Sequence, residues 1–274
     1  MTGSGRKRSV LGVGVSATSY ADVVRDVREW ALARRSETGP APARIVCVTS
    51  VHGLMIARED AGFRQVLNGA DVVTPDGMPV VWALRSFGER RQERVYGPTL
   101  MLELCRMAAG DGLRIFLFGS RPEVLPALER NLRNRFPALA IAGSYSPPFR
   151  PMTADEAAQT QRLIQEAAPD VIFVGISTPK QERWMWEHRN LFPGVVLIGV
   201  GAAFDFHAGR VRQAPNWMQR RGLEWAFRLM SEPRRLWRRY LLQTPRFIPY
   251  WAMQKLGLLR YELPAEAHDQ PTPI

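Results

Sequence analysis

Residues 170–209 read DVIFVGISTPKQERWMWEHRNLFPGVVLIGVGAAFDFHAG, and this stretch decides the architecture. Val171 to Ile176 is a short apolar run rich in β-branched residues that stops at a turn, the pattern of a strand buried on both faces. Ser177-Thr178-Pro179-Lys180-Gln181 follows as a helix start, with Thr178 as cap, Pro179 at the first helical position and Gln181 placed for a capping box. Val195 to Val200 is a second buried strand, ending in Gly201 and then Phe204-Asp205-Phe206. A strand running straight into a capped helix aims backbone N–H groups at the carboxyl edge of a parallel sheet, where open α/β proteins bind phosphates. An ordinary βαβ unit without a ligand has the same local signature.

Upstream, the alternation continues. Val10 to Val15 is a short strand, Tyr20 to Arg34 has apolar residues at helical spacing, and Ile45 to Val48 is a strand leading into an apolar helix, Val51 to Ala57. Ala70 to Thr74 is a strand that breaks at Pro75-Asp76-Gly77 ahead of a helix through Val80, Trp82 and Leu84. Leu113 to Phe118 is a parallel strand, and Gly119-Ser120-Arg121-Pro122-Glu123 starts another helix. This glycine turn is not G-x-G-x-x-G, so the dinucleotide fingerprint is absent. Leu139 to Gly143, a Pro-rich loop from Ser144 to Pro151 and a helix from Thr153 to Ala167 complete the series. Strand and helix alternating from residue 10 to 205 imply an α/β fold, a Rossmann-like parallel sheet flanked by helices.

The remainder divides around that body. Residues 1–9, polar and rich in Gly and Arg, lack the apolar segment of a signal peptide and read as a disordered lead-in. Residues 10–213 form the α/β domain, 214–261 a helical appendage and 262–274 a disordered tail. No run approaches the ~18 apolar residues of a spanning helix. Cys47 and Cys105 both lie in apolar surroundings and read as buried free thiols of a cytoplasmic protein.

The net charge of +11 is concentrated at the end. Between Gly209 and Tyr261 twelve Arg and Lys face two acids, Glu224 and Glu232. Half of the chain's eight tryptophans lie here, interleaved with the arginines, and the pattern is helical throughout. Arg and Trp on one amphipathic segment is the composition of an interfacial helix, with its apolar face in the acyl boundary and cations at the headgroups. Packing on the sheet explains part of the apolar set, and a nucleic-acid surface uses the same residue types.

Thr74-Pro75-Asp76-Gly77-Met78-Pro79, Arg94-Val95-Tyr96-Gly97, Phe118-Gly119-Ser120, Pro179-Lys180-Gln181-Glu182, Gly199 to Phe206, and Glu224-Trp225 to Arg228 followed by Glu232-Pro233-Arg234-Arg235 together resemble the WecG/TagA/CpsF glycosyltransferase family. The resemblance runs in order from about residue 10 to 247, and the joint spacing of the blocks is more specific than any one of them. It implies inverting, metal-independent transfer of a hexose or N-acetylhexosamine, of the N-acetylmannosamine type, from a UDP-sugar to a polyprenyl-diphosphate-linked saccharide in bacterial surface polysaccharide synthesis. It implies a site at the inner face of the cell membrane, with peripheral attachment, and it allows a homo-oligomer. No cofactor, metal or nucleic-acid partner is expected.

Carried over residue by residue, the resemblance makes Asp76 the general base. Arg94, Gln181 and Asp205 match pocket residues, and Thr74, Gly119, Ser120, Tyr145, Gly175 and Lys180 are assigned with them to substrate and nucleotide. Arg228, Arg235 and Arg238 match arginines that hold diphosphate. One departure stands out: where relatives often carry Thr-x-Asn, this chain has Val48-Thr49-Ser50, so an amide that would orient a sugar is missing.

The residues support this chemistry independently. Glycosyl transfer needs a base for the acceptor hydroxyl and positive charge for the departing diphosphate, and Asp76 at the end of a buried strand suits the first task. It also suits capping the following helix, a common role for Asp before Gly. No Asp-x-Asp pair is present, and His52, His188, His207 and His268 have no ligand spacing. The leaving charge then falls to helix N-termini, after Gly119 and Thr178, and to arginines. Two rival classes remain: a nucleotide-sugar epimerase or oxidoreductase, disfavoured by the missing fingerprint, and a nucleic-acid-binding module built on the basic tail.

Overall fold

The computed structural model describes residues 6–36 and 41–263. Two strands, β1 (Lys7–Val10) and β2 (Val13–Ser16), pair antiparallel. Six parallel strands follow: β3 (Arg44–Thr49), β4 (Val72–Pro75), β5 (Arg114–Gly119), β6 (Ala140–Tyr145), β7 (Val171–Gly175) and β8 (Val196–Gly199). Their order across the sheet is β4-β3-β8-β7-β5-β6. The α/β reading therefore stands: a parallel sheet with helices on both faces.

Alternation along each strand explains the layering. Ile45, Cys47, Val73, Phe118, Ile172, Val174 and Leu197 point to one apolar cluster. Val46, Val48, Val72, Leu117, Phe173, Val196 and Ile198 point to the other. Successive side chains leave opposite faces, so a strand covered on both sides must be apolar nearly throughout. The first face is covered by helices Val51–Glu59, Ala61–Asn68 and Lys180–His188, the second by Tyr20–Ser36, Gly97–Asp111 and Leu125–Arg135. Cys47 and Cys105 are free and fully buried in these clusters.

The lead-in needs correction. Part of residues 1–9 is ordered, because Lys7–Val10 is a strand, and the single strand expected at Val10 to Val15 is the second half of a hairpin plus its turn. Leu11 and Gly12 make the turn with φ of 52° and 87°, the two-residue geometry that Asn-Gly usually signals and that an apolar Leu conceals. Residues 1–5 of the lead-in, and 264–274 of the expected disordered tail with His268, lie outside the described residues.

Two helix starts also differ from expectation. The segment after Gly119 does not enter a helix directly; the helix begins at Leu125. Thr178 does not cap the helix Lys180–His188, whose N-cap position is Pro179 with no side-chain cap. Ser177 takes a left-handed φ of 69°, and the Thr178 hydroxyl donates instead to Glu182 at 2.8 Å. The same local motif does work at Thr153 and Glu156, where both capping-box bonds form on an exposed helix with no competing buried acceptor.

The segment after Ala214 is helical, as its pattern predicts: Asn216–Arg220, Glu224–Ser231, Pro233–Trp237, a π-helix Arg238–Gln243, and Phe247–Lys255. It returns across the body. Phe247 is buried in the first apolar cluster, the Trp251 indole donates to Ser86 Oγ at 3.0 Å, and the Gln254 amide bridges Ser9 and Leu11 of the hairpin. Its outer side leaves Leu241, Leu242, Ile248, Leu256 and Leu258 exposed. Among the described residues no helix is long and apolar enough to cross a membrane.

Candidate functional site

All six parallel strands end at one edge of the sheet, where Thr49 is level with Pro75 and Gly119 with Gly175. The loops that leave this edge enclose a cavity of about 1060 Å³. Ser50 and His52 follow β3 into it, Asp76 follows β4, and Ser120 and Arg121 follow β5. Lys180 and Gln181 follow β7, and Gly201 and Asp205 follow β8. The Pro147–Met152 loop after β6 forms one wall. The tail supplies the opposite wall, with Glu224, Arg228, Glu232, Arg235, Arg238 and Arg239 all facing the cavity.

Asp76 sits at the lip between these walls. Its backbone N–H donates to Thr49, and its Oδ1 accepts from Arg94 Nη2 at 3.2 Å. Arg94 Nε also donates to the Asp76 carbonyl, and its guanidinium lies over the Tyr96 ring, 4.1 Å from the centroid. Burial raises the Asp76 carboxyl above its ordinary value; Arg94 opposes this and Glu224 reinforces it. Asp76 makes no cap for the following helix, whose N-cap is Gly77. A desolvated carboxylate with a raised proton affinity, open to a cavity, is the arrangement a general base needs.

Gln181 is buried and fully engaged within the protein. Its amide N–H donates to Glu182 Oε1 at 3.0 Å, and its carbonyl accepts from the Gly201 N–H at 3.1 Å. It thus ties the helix after β7 to the loop after β8, rather than closing a capping box. The Glu182 carboxyl behind it is raised by burial. Asp205, on the short helix Ala203–His207, accepts from Ser120 Oγ at 3.4 Å, which links the ends of β5 and β8.

Basic groups dominate the far side. Arg239 donates to Ser50 Oγ, and burial lowers the proton affinity of its guanidinium. His52 beside it is pushed down to about 4 by burial and then by Arg239, so its ring is neutral near pH 7. Among the described residues no group of three His, Cys, Asp or Glu is placed to hold a metal ion.

The cavity brings together Asp76, Ser120, Gly175, Lys180, Gln181, Asp205, Arg228, Arg235 and Arg238 as expected. Four of the expected residues do not line the cavity. Thr74 is fully buried inside β4, so its hydroxyl does not reach the cavity. Tyr145 does not line the cavity; its ring stacks on Phe118, which does, with ring centroids 6.1 Å apart. Gly119 does not line the space; it is glycine because φ is 134° and a Cβ would lie 2.6 Å from Gly175 backbone atoms. Arg94 stands behind Asp76 rather than in the cavity wall.

Sequence reasoning missed Glu224, Arg239, His52 and Arg121, all of which face the cavity. Glu224 carried a signal, as one of two acids in a strongly basic tail. Arg239 carried none, because Arg234, Arg235, Arg238 and Arg239 look alike in the sequence and Arg234 points elsewhere. His207, Nε2 of which is 2.8 Å from the Pro98 carbonyl oxygen, is held by backbone.

Residues 8–261 match the glycosyl transferase WecG/TagA/CpsF family. The chain is 35% identical over 191 residues to an N-acetylglucosaminyldiphosphoundecaprenol N-acetyl-beta-D-mannosaminyltransferase of Bacillus subtilis (strain 168), covering 70% of this chain and 72% of that protein. It is 32% identical over 192 residues to the protein of the same name from Bacillus spizizenii (strain ATCC 23059 / NRRL B-14472 / W23), with the same coverage. This chain, with its carboxylate and arginines facing one another across a single cavity, belongs to the WecG/TagA/CpsF family of glycosyltransferases.

Proposed function

We propose that the protein transfers a hexose or N-acetylhexosamine, of the N-acetylmannosamine type, from a UDP-sugar to a saccharide carried on polyprenyl diphosphate, with inversion. The names of the two Bacillus relatives specify N-acetylmannosamine transfer to an N-acetylglucosaminyl-diphosphoundecaprenol acceptor, which supports both sugar and acceptor class. Asp76 takes the proton of the acceptor hydroxyl. The acceptor oxygen bonds to the anomeric carbon on the face opposite the nucleotide, and the electron pair of the broken C–O bond leaves on the diphosphate. Arg228, Arg235, Arg238 and Arg239 receive that charge, and their forked donors suit phosphate oxygens. In this reading arginines do the work that a divalent cation does in other transferases.

The observation that carries the reading is the placement of Asp76, desolvated at the sheet edge, in one cavity with four tail arginines. The exposed Leu241, Leu242, Ile248, Leu256 and Leu258, set among cations, suit peripheral attachment to an anionic membrane surface that carries the acceptor. The test is UDP release from a panel of UDP-glucose, UDP-N-acetylglucosamine and UDP-N-acetylmannosamine with a short-chain polyprenyl-diphosphate N-acetylglucosamine acceptor, with and without EDTA. Release that needs the acceptor and survives EDTA supports the reading; an EDTA-sensitive reaction removes its metal-free part. No release with any donor removes the whole.

A further inference from the structure

Glu224 has no part in the scheme above, yet it is the tail's acid nearest the base. Nη2 of Arg94 donates to Asp76 Oδ1 at 3.2 Å and lies 2.7 Å from Glu224 Oε2 in a close ion pair that lacks hydrogen-bond geometry, so one guanidinium nitrogen faces two carboxylates. One carboxylate follows β4 at the sheet edge, the other belongs to the tail helix Glu224–Ser231. Arg94 has little freedom to choose between them. Its Nε is committed to the Asp76 backbone carbonyl, and its plane is held over Tyr96. The side chains of Arg94 and Glu224 are 16% and 12% exposed, so water does little to dilute the contact.

We propose that Glu224 is a positioning residue for the base: by holding Arg94 Nη2 it prevents a two-pronged clamp on Asp76 and leaves Asp76 Oδ2 free to receive the acceptor's proton. The inference rests on Asp76 being the base. A carboxylate gripped bidentately by arginine is a poor proton acceptor, because the strongest ion-pair geometry stabilises its charged form. The shorter contact to Glu224 draws the guanidinium away from that geometry. Among the described residues Asp76 Oδ2 has no hydrogen-bond partner. Because Glu224 sits on the tail helix Glu224–Ser231, the tail itself supplies a group that tunes the base.

The groups that face Asp76 are Arg94 and Tyr96 from the segment entering helix Gly97–Asp111, Tyr20 from helix Tyr20–Ser36, and Glu224, Arg228 and Arg239 from the tail. Glu224 raises the proton affinity of Asp76, whereas Arg94 and Arg228 lower it. Removing the Glu224 charge therefore lowers it in two ways, by deleting a repulsion and by releasing Arg94.

The experiment is the pH dependence of kcat/KM for the full-length protein and its Glu224→Gln, Glu224→Asp and Asp76→Asn variants. Glu224→Gln is expected to move the acid limb down by about one pH unit and lower the plateau about tenfold, with each KM within about threefold. Glu224→Asp, which retains the charge, is expected to keep the acid limb of the unmodified protein. If the limb stays in place in Glu224→Gln while activity falls, or if only KM changes, the inference is overturned. Should Glu224→Gln fail to fold, a limb shifted in Glu224→Asp by as much as a unit overturns it equally. An active Asp76→Asn variant would instead remove the underlying assignment of the base, so the two failures are distinct.

Discussion

Arg239 Nη2 donates to Ser50 Oγ across 3.1 Å, joining residues 189 positions apart and pinning the tail to the end of β3. The small Ser50 hydroxyl accepts this hydrogen bond from the Arg239 guanidinium. Replacement of Arg239 by Gln removes a largely desolvated charge from the cavity. A hydrogen bond to a charged group contributes about 1.5–3 kcal/mol, so UDP affinity should fall roughly 10- to 100-fold. Calorimetric titration of UDP into Arg239→Gln measures it, and unchanged affinity would exclude Arg239 from diphosphate binding.

Asp76→Asn should cost about 10²–10⁴-fold in turnover, the usual contribution of a positioned base. The variant should be no less stable than the parent at neutral pH. The folded-state value of the Asp76 carboxyl is raised, chiefly by burial, so the native protein holds this proton more tightly than the unfolded chain. Its stabilising contribution is thus present at low pH and is lost as pH rises through the folded-state value. Urea denaturation at pH 7.5 should show equal or greater stability for Asp76→Asn, with the difference shrinking in acid. A large loss of stability at pH 7.5 would make Asp76 a structural residue.

His52 predicts the opposite slope. Its folded-state value is pushed down from 6.5 to about 4, so the unfolded chain binds the proton more tightly. Stability is then lost as pH falls from about 6.5 toward about 4. His52→Gln should flatten the acid side of the stability curve over that window. An unchanged slope would mean that His52 is solvated in the folded state.

Gly119→Ala tests the close approach of the paired strands β5 and β7 at Gly119 and Gly175. The new Cβ would lie 2.6 Å from the Gly175 carbonyl carbon, at a φ of 134°. Overpacking against backbone, added to the unfavourable backbone conformation, should cost roughly 2–4 kcal/mol in urea denaturation. A loss below about 1 kcal/mol would show that the strand ends separate easily.

Phe247→Ala tests whether the tail belongs to the cooperative core. Phe247 is 1% exposed and stacks on Trp251, with centroids 6.4 Å apart. Burial of this kind is worth about 3–5 kcal/mol when removed, and the variant should show protease cleavage within residues 232–255 before global unfolding. Unchanged stability and cleavage would mean that the tail rests on the body without supporting it.

Much of this protein follows from local pattern alone. Runs such as Val171 to Val174 and Val196 to Ile198 are apolar at every position, and a strand covered on both faces admits nothing else, so the parallel sheet was legible before any contact was known. Asp76 was legible too, because a strand that breaks at Pro-Asp-Gly presents its last side chain at the sheet edge whatever the partners are. The hairpin at Lys7–Ser16 was not, because Leu11 hides its turn among apolar neighbours. Nor was the fate of Thr178 and Gln181, whose capping motif is overridden by Glu182 and Gly201.

The division between the two levels is physical. Period and turn chemistry act over a few residues, and they determined the strands, the helices, the basic helical tail and the carboxylate at the lip. Which arginines enter the cavity and how Glu224 comes to share Arg94 with Asp76 depend on groups brought together from distant parts of the chain. Such contacts form at distances of a few ångströms between residues more than a hundred positions apart, and only the folded molecule sets those distances.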